Sequence, residues 1–165
     1  MPEVFVAAGS NVRPRASLRS AIATLAAEFP GLTASRAWSN RAVGFEGDDF
    51  INLVLRFQTD LPVAALLERL KAVERAGGRG RGAPKWGPRI LDLDLLLYGD
   101  LTGRHDGARL PHPDLANRAW VLGPLAELVP ELPHPESGIA FGELWQRFDR
   151  GLHPLVATTL DGPDA

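Results

Sequence analysis

The 165-residue chain contains no cysteine, which excludes disulfides, thiolate metal sites and a cysteine nucleophile. Long apolar runs are also missing. The longest fall well short of the ~20 residues of a membrane helix, and the opening Met1-Pro2-Glu3 lacks the basic-then-apolar pattern of a secretory signal. Nor does either charge dominate: 18 Lys and Arg stand against 20 Asp and Glu, a net charge of -2. No overall field therefore draws the chain to nucleic acid or an anionic membrane, and any anion site must arise from local clustering. The four histidines, His105, His112, His134 and His153, have no metal-ligand spacing, and without thiolates zinc is not expected. What remains is a cytoplasmic chain, 45% hydrophobic, of a length suited to one compact domain. The expected domain covers residues 1–160, with 161–165 as a frayed tail.

Hydrophobic spacing gives the element order. Val4 to Ala8 is a short apolar run closed by Gly9-Ser10-Asn11, a strand followed by a turn. With Ser17 as cap, Leu18, Ile22, Leu25 and Phe29 make one helix face up to Pro30-Gly31. A strand is expected over 32–39 and a long loop over 40–49. In the strand 50–57, Phe50, Asn52, Val54 and Arg56 share one face, while Ile51, Leu53, Leu55 and Phe57 share the core face. Pro62 opens a second helix striped by Leu66, Leu67, Leu70 and Val73. A glycine- and arginine-rich loop follows, then a strand over 90–98. Strand, helix, strand, strand, helix, strand is the α+β, ferredoxin-like βαββαβ sandwich, with helices over one sheet face. A proline-punctuated extension with short helices near 117–128 and 141–148 completes the domain.

The chemistry concentrates around Asp92 and Asp94. On a strand both carboxylates project from the same face, about 7 Å apart. Two hard oxygen ligands on a rigid strand suit Mg²⁺, which takes one or two carboxylates together with substrate phosphates; an acidic solvent face is the plain alternative. Arg79, Arg81, Lys85 and Arg89 lie just before them. Guanidinium forks match phosphate oxygens, and glycine lets the backbone approach a polyphosphate, although a solvated loop or an arginine-glycine RNA-binding tract has the same composition. Trp86 reads as a wall over a base or as core. His112, held between Pro111 and Pro113 with Arg118 following, reads as a phosphate contact or as part of a turn. Glu74 reads as a solvated helix charge, and Asn52 beside Phe50 as a reader of a heterocycle or a cross-strand hydrogen bond.

The run 85–96, KWGPRILDLDLL, resembles the signature of the 6-hydroxymethyl-7,8-dihydropterin pyrophosphokinases of folate biosynthesis. Supporting matches are Gly9-Ser10-Asn11, Asp49-Phe50-Ile51-Asn52, Glu74 followed by Gly78-Arg79-Gly80-Arg81, and Pro111-His112-Pro113-Asp114 followed by Asn117-Arg118. The resemblance implies transfer of the terminal diphosphate of ATP, the co-substrate, to the pterin hydroxymethyl oxygen. It implies two Mg²⁺ ions on Asp92 and Asp94, with Arg79 and Arg89 nearest the chemistry. Arg81 and Trp86 would lie on the loop that closes over the nucleotide. Glu74, Leu95, His112 and Arg118 would line the ATP site; Phe50, Asn52 and Trp120 would form the pterin pocket. The expected partners are these small molecules, with no nucleic acid and no membrane, and the expected working unit is a monomer.

The chain departs from the family pattern in three places. The usual Thr-Pro-Pro run is replaced by Ser39-Asn40-Arg41-Ala42-Val43-Gly44, where Asn40 either replaces a hydroxyl contact or points outward. Lys71 stands where a glutamine is common. Residues 99–110 follow no family pattern, although Arg109 there is within reach of a phosphate. A regulatory module on the same scaffold accounts for the fold but not for the paired carboxylates. An RNA-binding module requires aromatics together on the central strands, whereas Phe50 and Phe57 fall on opposite faces.

Overall fold

The computed structural model describes residues 1–40, 49–77, 91–152 and 154–164. Their elements run β1 (Glu3–Ser10), α1 (Pro14–Glu28), β2 (Thr33–Ala34), β3 (Ala37–Asn40), β4 (Phe50–Gln58), α2 (Val63–Gly77), β5 (Asp92–Tyr98), β6 (Gly103–His105), β7 (Ala108–Leu110), α3 (Asp114–Asn117), α4 (Ala119–Leu128), α5 (Phe141–Arg147), a 3-10 turn (Arg150–Leu152) and β8 (Val156–Thr158). The main sheet has the order β5-β1-β4-β3-β8, with β2 also paired to β4. All its pairings are antiparallel. The first and last strands of the expected βαββαβ unit thus lie side by side, the ferredoxin-like arrangement.

Strand periodicity divides the sheet cleanly. Val4, Val6, Ala8, Ile51, Leu53, Leu55, Phe57, Leu93 and Leu95 form one face, and they join Leu18, Leu25 and Phe29 of α1 and Leu66, Leu70 and Val73 of α2 in a single cluster. Each fully buried aliphatic side chain there contributes roughly 1.5–3 kcal/mol. The expected cover by α1 and α2 on one face holds. The extension covers the other: Phe5, Val54 and Leu97 pack with Leu115, Val121, Leu122, Leu125 and Phe141. A register shift opposite Phe5 and Val6 lets both Leu96 and Leu97 enter this second cluster, as a bulge does.

Several boundaries differ from the sequence reading. The strand expected over 32–39 is interrupted because Ser35 turns its hydroxyl onto β4, where Oγ accepts from Val54 N at 2.9 Å. Helix α1 starts at Pro14 rather than after Ser17; proline at the first helical position forfeits only an N–H that would lack an intrahelical partner. The next donors are capped from the far end of the chain. Asp164 Oδ1 accepts from Arg15 N at 2.8 Å, and Oδ2 accepts from Ala16 N at 3.2 Å. Arg19 also donates to Leu160 O and Gly162 O. Residues 161–164, read from sequence as a frayed tail, therefore carry the N-terminal cap of α1. The helix expected near 117–128 is α4, which begins at Ala119 because Arg118, extended at φ -123, ψ 121, separates it from the short α3 before it.

Candidate active site

The site is built on three adjacent strands. Gly9 of β1 pairs with Asn52 on one side and Asp92 on the other, and Ala7 pairs with Val54 and Asp94. Residues opposed in an antiparallel sheet share a face, so the two carboxylates and the Asn52 amide rise from the same surface, separated by small residues. Asn40, the last residue of β3, faces Phe50 across the strands. Trp120 and Val121 in the first turn of α4 close the opposite wall. The resulting cleft has a volume of about 210 Å³ and is lined by Ala7, Gly9, Asn40, Phe50, Asn52, Asp92, Asp94, Asp114, Trp120 and Val121. Gly9 is required on this floor: a Cβ there would sit 2.4 Å from Asn52 Oδ1.

A second cleft, of about 340 Å³, opens between α2, β5 and the β6–β7 hairpin, and Asp92 and Asp94 line it as well. Lys71, Glu74, Leu95, Arg109 and His112 are among its other walls. Glu74 is more than a solvated helix charge, because its Oε1 accepts from Leu93 N at 2.8 Å and ties α2 to the outer edge of β5. His112 N donates to Leu96 O on the same edge at 3.0 Å, and His112 Nδ1 accepts from Asp114 N at 3.1 Å. The proline-bounded turn and a place beside the carboxylates are therefore both true of His112. Arg118 lines neither cleft. It lies over the Trp120 ring, 5.5 Å from its centroid, and 4.0 Å from Asp114 Oδ1, on the side of the first cleft rather than the nucleotide-type cleft.

The structure therefore brings Phe50, Asn52, Trp120, Asp92 and Asp94 together in one cleft, and Glu74, Leu95, His112 and the same two aspartates in the other. Arg79, Arg81, Trp86 and Arg89 lie outside the described residues, as does Lys85. The sequence reading missed the hairpin that supplies Gly107, Ala108 and Arg109. Its signal is Asp106-Gly107, a two-residue connection whose members both have positive φ, 53° and 89°, as a tight hairpin turn of this kind requires. Asp114 was seen in its motif but given no place in the pocket.

Among the described residues no group of three or more metal-ligating side chains exists. Two carboxylates on alternate residues of one strand, opening to a cleft with cationic walls, fit Mg²⁺ and not zinc, since Mg²⁺ completes its octahedron with water and phosphate oxygen. No helix among the described residues is long and apolar enough to cross a membrane.

A ferredoxin-like sheet that sets two acidic side chains between a ring-lined cleft and a basic-walled one defines a class, the α+β transferases that pass a phosphoryl-type group from a nucleotide to a small planar acceptor. Residues 5–130 match the family of 7,8-dihydro-6-hydroxymethylpterin-pyrophosphokinase (HPPK). The 2-amino-4-hydroxy-6-hydroxymethyldihydropteridine pyrophosphokinase of Synechocystis is 38% identical over 148 residues, covering 87% of this chain and 75% of that one. The Aquifex aeolicus enzyme of the same name is 38% identical over 137 residues, covering 82% and 85%. The chain belongs to this family, the pyrophosphokinases of folate biosynthesis. Among solved structures, wild-type Plasmodium falciparum HPPK-DHPS superposes with a TM-score of 0.64 at 13% identity, covering 89% of this chain and 43% of that longer one. That likeness shows the fold.

Proposed function

We propose that the paired clefts transfer diphosphate from ATP to the hydroxymethyl group of 6-hydroxymethyl-7,8-dihydropterin, giving AMP and the pterin diphosphate. The observation that carries this reading is that Asp92 and Asp94 form a wall of both clefts. The pterin occupies the smaller cleft, with Phe50 and Trp120 on its ring faces and Asn52 at its edge. ATP occupies the larger, its phosphates running toward the aspartates past Arg109 and His112. The hydroxymethyl oxygen forms a bond to the β-phosphorus and gives up its proton to solvent, while the bond from that phosphorus to the oxygen bridging it to the α-phosphate breaks and AMP leaves with the oxygen and the electron pair. No protein nucleophile takes part. Asp92 and Asp94 are the ligands for Mg²⁺, two ions in this reading, which when bound supply neutralisation of the polyphosphate charge and polarisation of its oxygens.

The chain's own residues do the rest. Glu74 fixes the edge of β5 and so the direction of both aspartates. Lys71 and Arg109 add positive charge to the phosphate side, His112, whose Nδ1 accepts from Asp114 N, offers it a ring N–H donor, and Arg79 and Arg89 stabilise charge at the transferred group. Arg81 and Trp86 belong to the segment that covers the nucleotide and excludes water, which otherwise competes with the pterin alcohol. Arg118, over the Trp120 ring, holds the pterin wall. In this reading the working unit is a monomer, acting in the cytoplasm on the ATP there.

The test is product analysis with ATP, Mg²⁺ and the pterin. AMP equimolar with a pterin diphosphate is expected; ADP, or hydrolysis independent of the pterin, overturns the reading.

A further inference from the structure

At Asn40 the chain departs from the usual family pattern, and the resemblance leaves open whether its amide replaces a hydroxyl contact or points outward. The structure gives it a definite place. Asn52 Nδ2 donates to Asn40 Oδ1, and both residues are buried, at 9% and 7% exposure, while lining the smaller cleft. Asn52 Oδ1 lies over the bare backbone of Gly9, at the spot where a Cβ would come within 2.4 Å of it. Among the described residues no donor meets that oxygen.

A side-chain amide has two nearly isosteric orientations, and only its hydrogen-bond partners decide which end is oxygen. In the structure Asn40 is set as the acceptor from Nδ2, which leaves Asn52 presenting its carbonyl to the cleft floor over Gly9. The row Asp92, Gly9, Asn52 spans two strand spacings, about 9.5 Å, with no side chain between its ends. A flat bicyclic heterocycle resting on Gly9 with its alcohol at Asp92 brings its far edge to Asn52.

We infer that Asn40 is a specificity-determining positioning residue: it fixes the Asn52 amide with its carbonyl toward the cleft, so that the edge meeting it must carry N–H donors. A ring with an amino group at that edge is accepted, and one with a carbonyl there sets two acceptors face to face and is rejected. This rests on the pterin assignment of the smaller cleft made above.

The experiment measures dissociation constants of 6-hydroxymethylpterin, which carries a 2-amino group, and 6-hydroxymethyllumazine, which carries oxygen there, for the wild type, Asn40→Leu and Asn40→Asp. Asn40→Leu removes the acceptor that orients Asn52, whereas Asn40→Asp keeps an acceptor and removes any donor. The wild type is expected to favour the amino ring. Asn40→Leu should weaken pterin binding about three- to tenfold and bring the ratio of the two constants toward one, with the loss in KM rather than kcat and with ATP affinity unmoved. Asn40→Asp should restore the preference. The ratio is insensitive to the fraction of protein folded, so a destabilised variant remains informative. An unchanged ratio in Asn40→Leu, or a loss in Asn40→Asp as large as in Asn40→Leu, overturns the inference. Wild-type protein that binds the pterin without making AMP overturns the reaction assignment alone, and protein that binds neither ring overturns both.

Discussion

The two faces of the main sheet are made by the same strands and put to different uses. Under α1 and α2 the inward positions of β1, β4 and β5 are apolar up to the buried Ser10 at the end of β1, and the cluster runs unbroken from Phe57 to Ile51. On the other face the apolar set Phe5, Val54 and Leu97 gives way, toward one end, to Ala7, Gly9, Asn52, Asp92 and Asp94. The first face keeps the fold. The second divides its length between core and chemistry, and its small residues hold space that a larger side chain would fill. Stability and activity should therefore be separable by choosing the face at which a residue is changed.

The largest separation is expected at the carboxylates. Asp92→Asn or Asp94→Asn should lower Mg²⁺-dependent turnover about a thousandfold, since each removes a charged metal ligand worth several kcal/mol at the transition state. Thermal unfolding should scarcely move, and a variant with normal turnover would remove the assignment of both residues. The mirror experiment is Leu55→Ala, at a fully buried site on the opposite face. It should cost about 2–5 kcal/mol of stability, read by denaturant titration, while the folded fraction keeps its KM for both substrates.

Gly9→Ala sits on the boundary between the two uses. Its Cβ would displace the Asn52 carbonyl, so pterin KM should rise about tenfold, within what a small misplacement of a positioning group can cost, with ATP affinity unchanged. Equal losses for both substrates would show that β1 itself had shifted. The smallest effect belongs to the C-terminal cap. Burial pushes the Asp164 carboxyl up, but hydrogen bonds from Arg15 and Ala16 N–H and the charges of Arg15 and Arg19 outweigh it and hold it below its ordinary value. A carboxyl depressed in the folded state adds stability that is present above its unfolded pKa and is lost as pH falls through the folded one. Asp164→Ala should remove about 1 kcal/mol at neutral pH and flatten the acid limb of a stability profile, which calorimetry at stepped pH can follow.

How much of this was legible depends on which forces act locally. Strand β4 and helix α2 follow from spacing because the residues each sends into the main core, Ile51, Leu53, Leu55 and Phe57 in one and Leu66, Leu70 and Val73 in the other, recur at the period of the element. The carboxylate pair was legible for the same reason: period two puts Asp92 and Asp94 on one side whatever surrounds them. What spacing could not give is anything decided by a distant partner. The break in the strand expected over 32–39 depends on a Ser35 hydroxyl meeting Val54, and the start of α1 depends on Asp164, about 150 residues away in sequence. Helix α4 is buried nearly all round, from Ala119 to Ala126, so no polar face marks its ends, and Pro124 inside it points against a helix. The Asp106-Gly107 turn was different, a local signal present in the sequence and passed over.

Strand β5 ends the sheet, and its outer side would ordinarily be a ladder of unpaired N–H and C=O groups able to recruit another chain. Here Glu74 takes the Leu93 N–H and His112 supplies an N–H to the Leu96 carbonyl. The side chain and turn that line the nucleotide-type cleft thus also blunt an adhesive border. Replacing Glu74 to study catalysis would bare part of that border, and such protein should be watched for self-association before its lost rate is credited to chemistry.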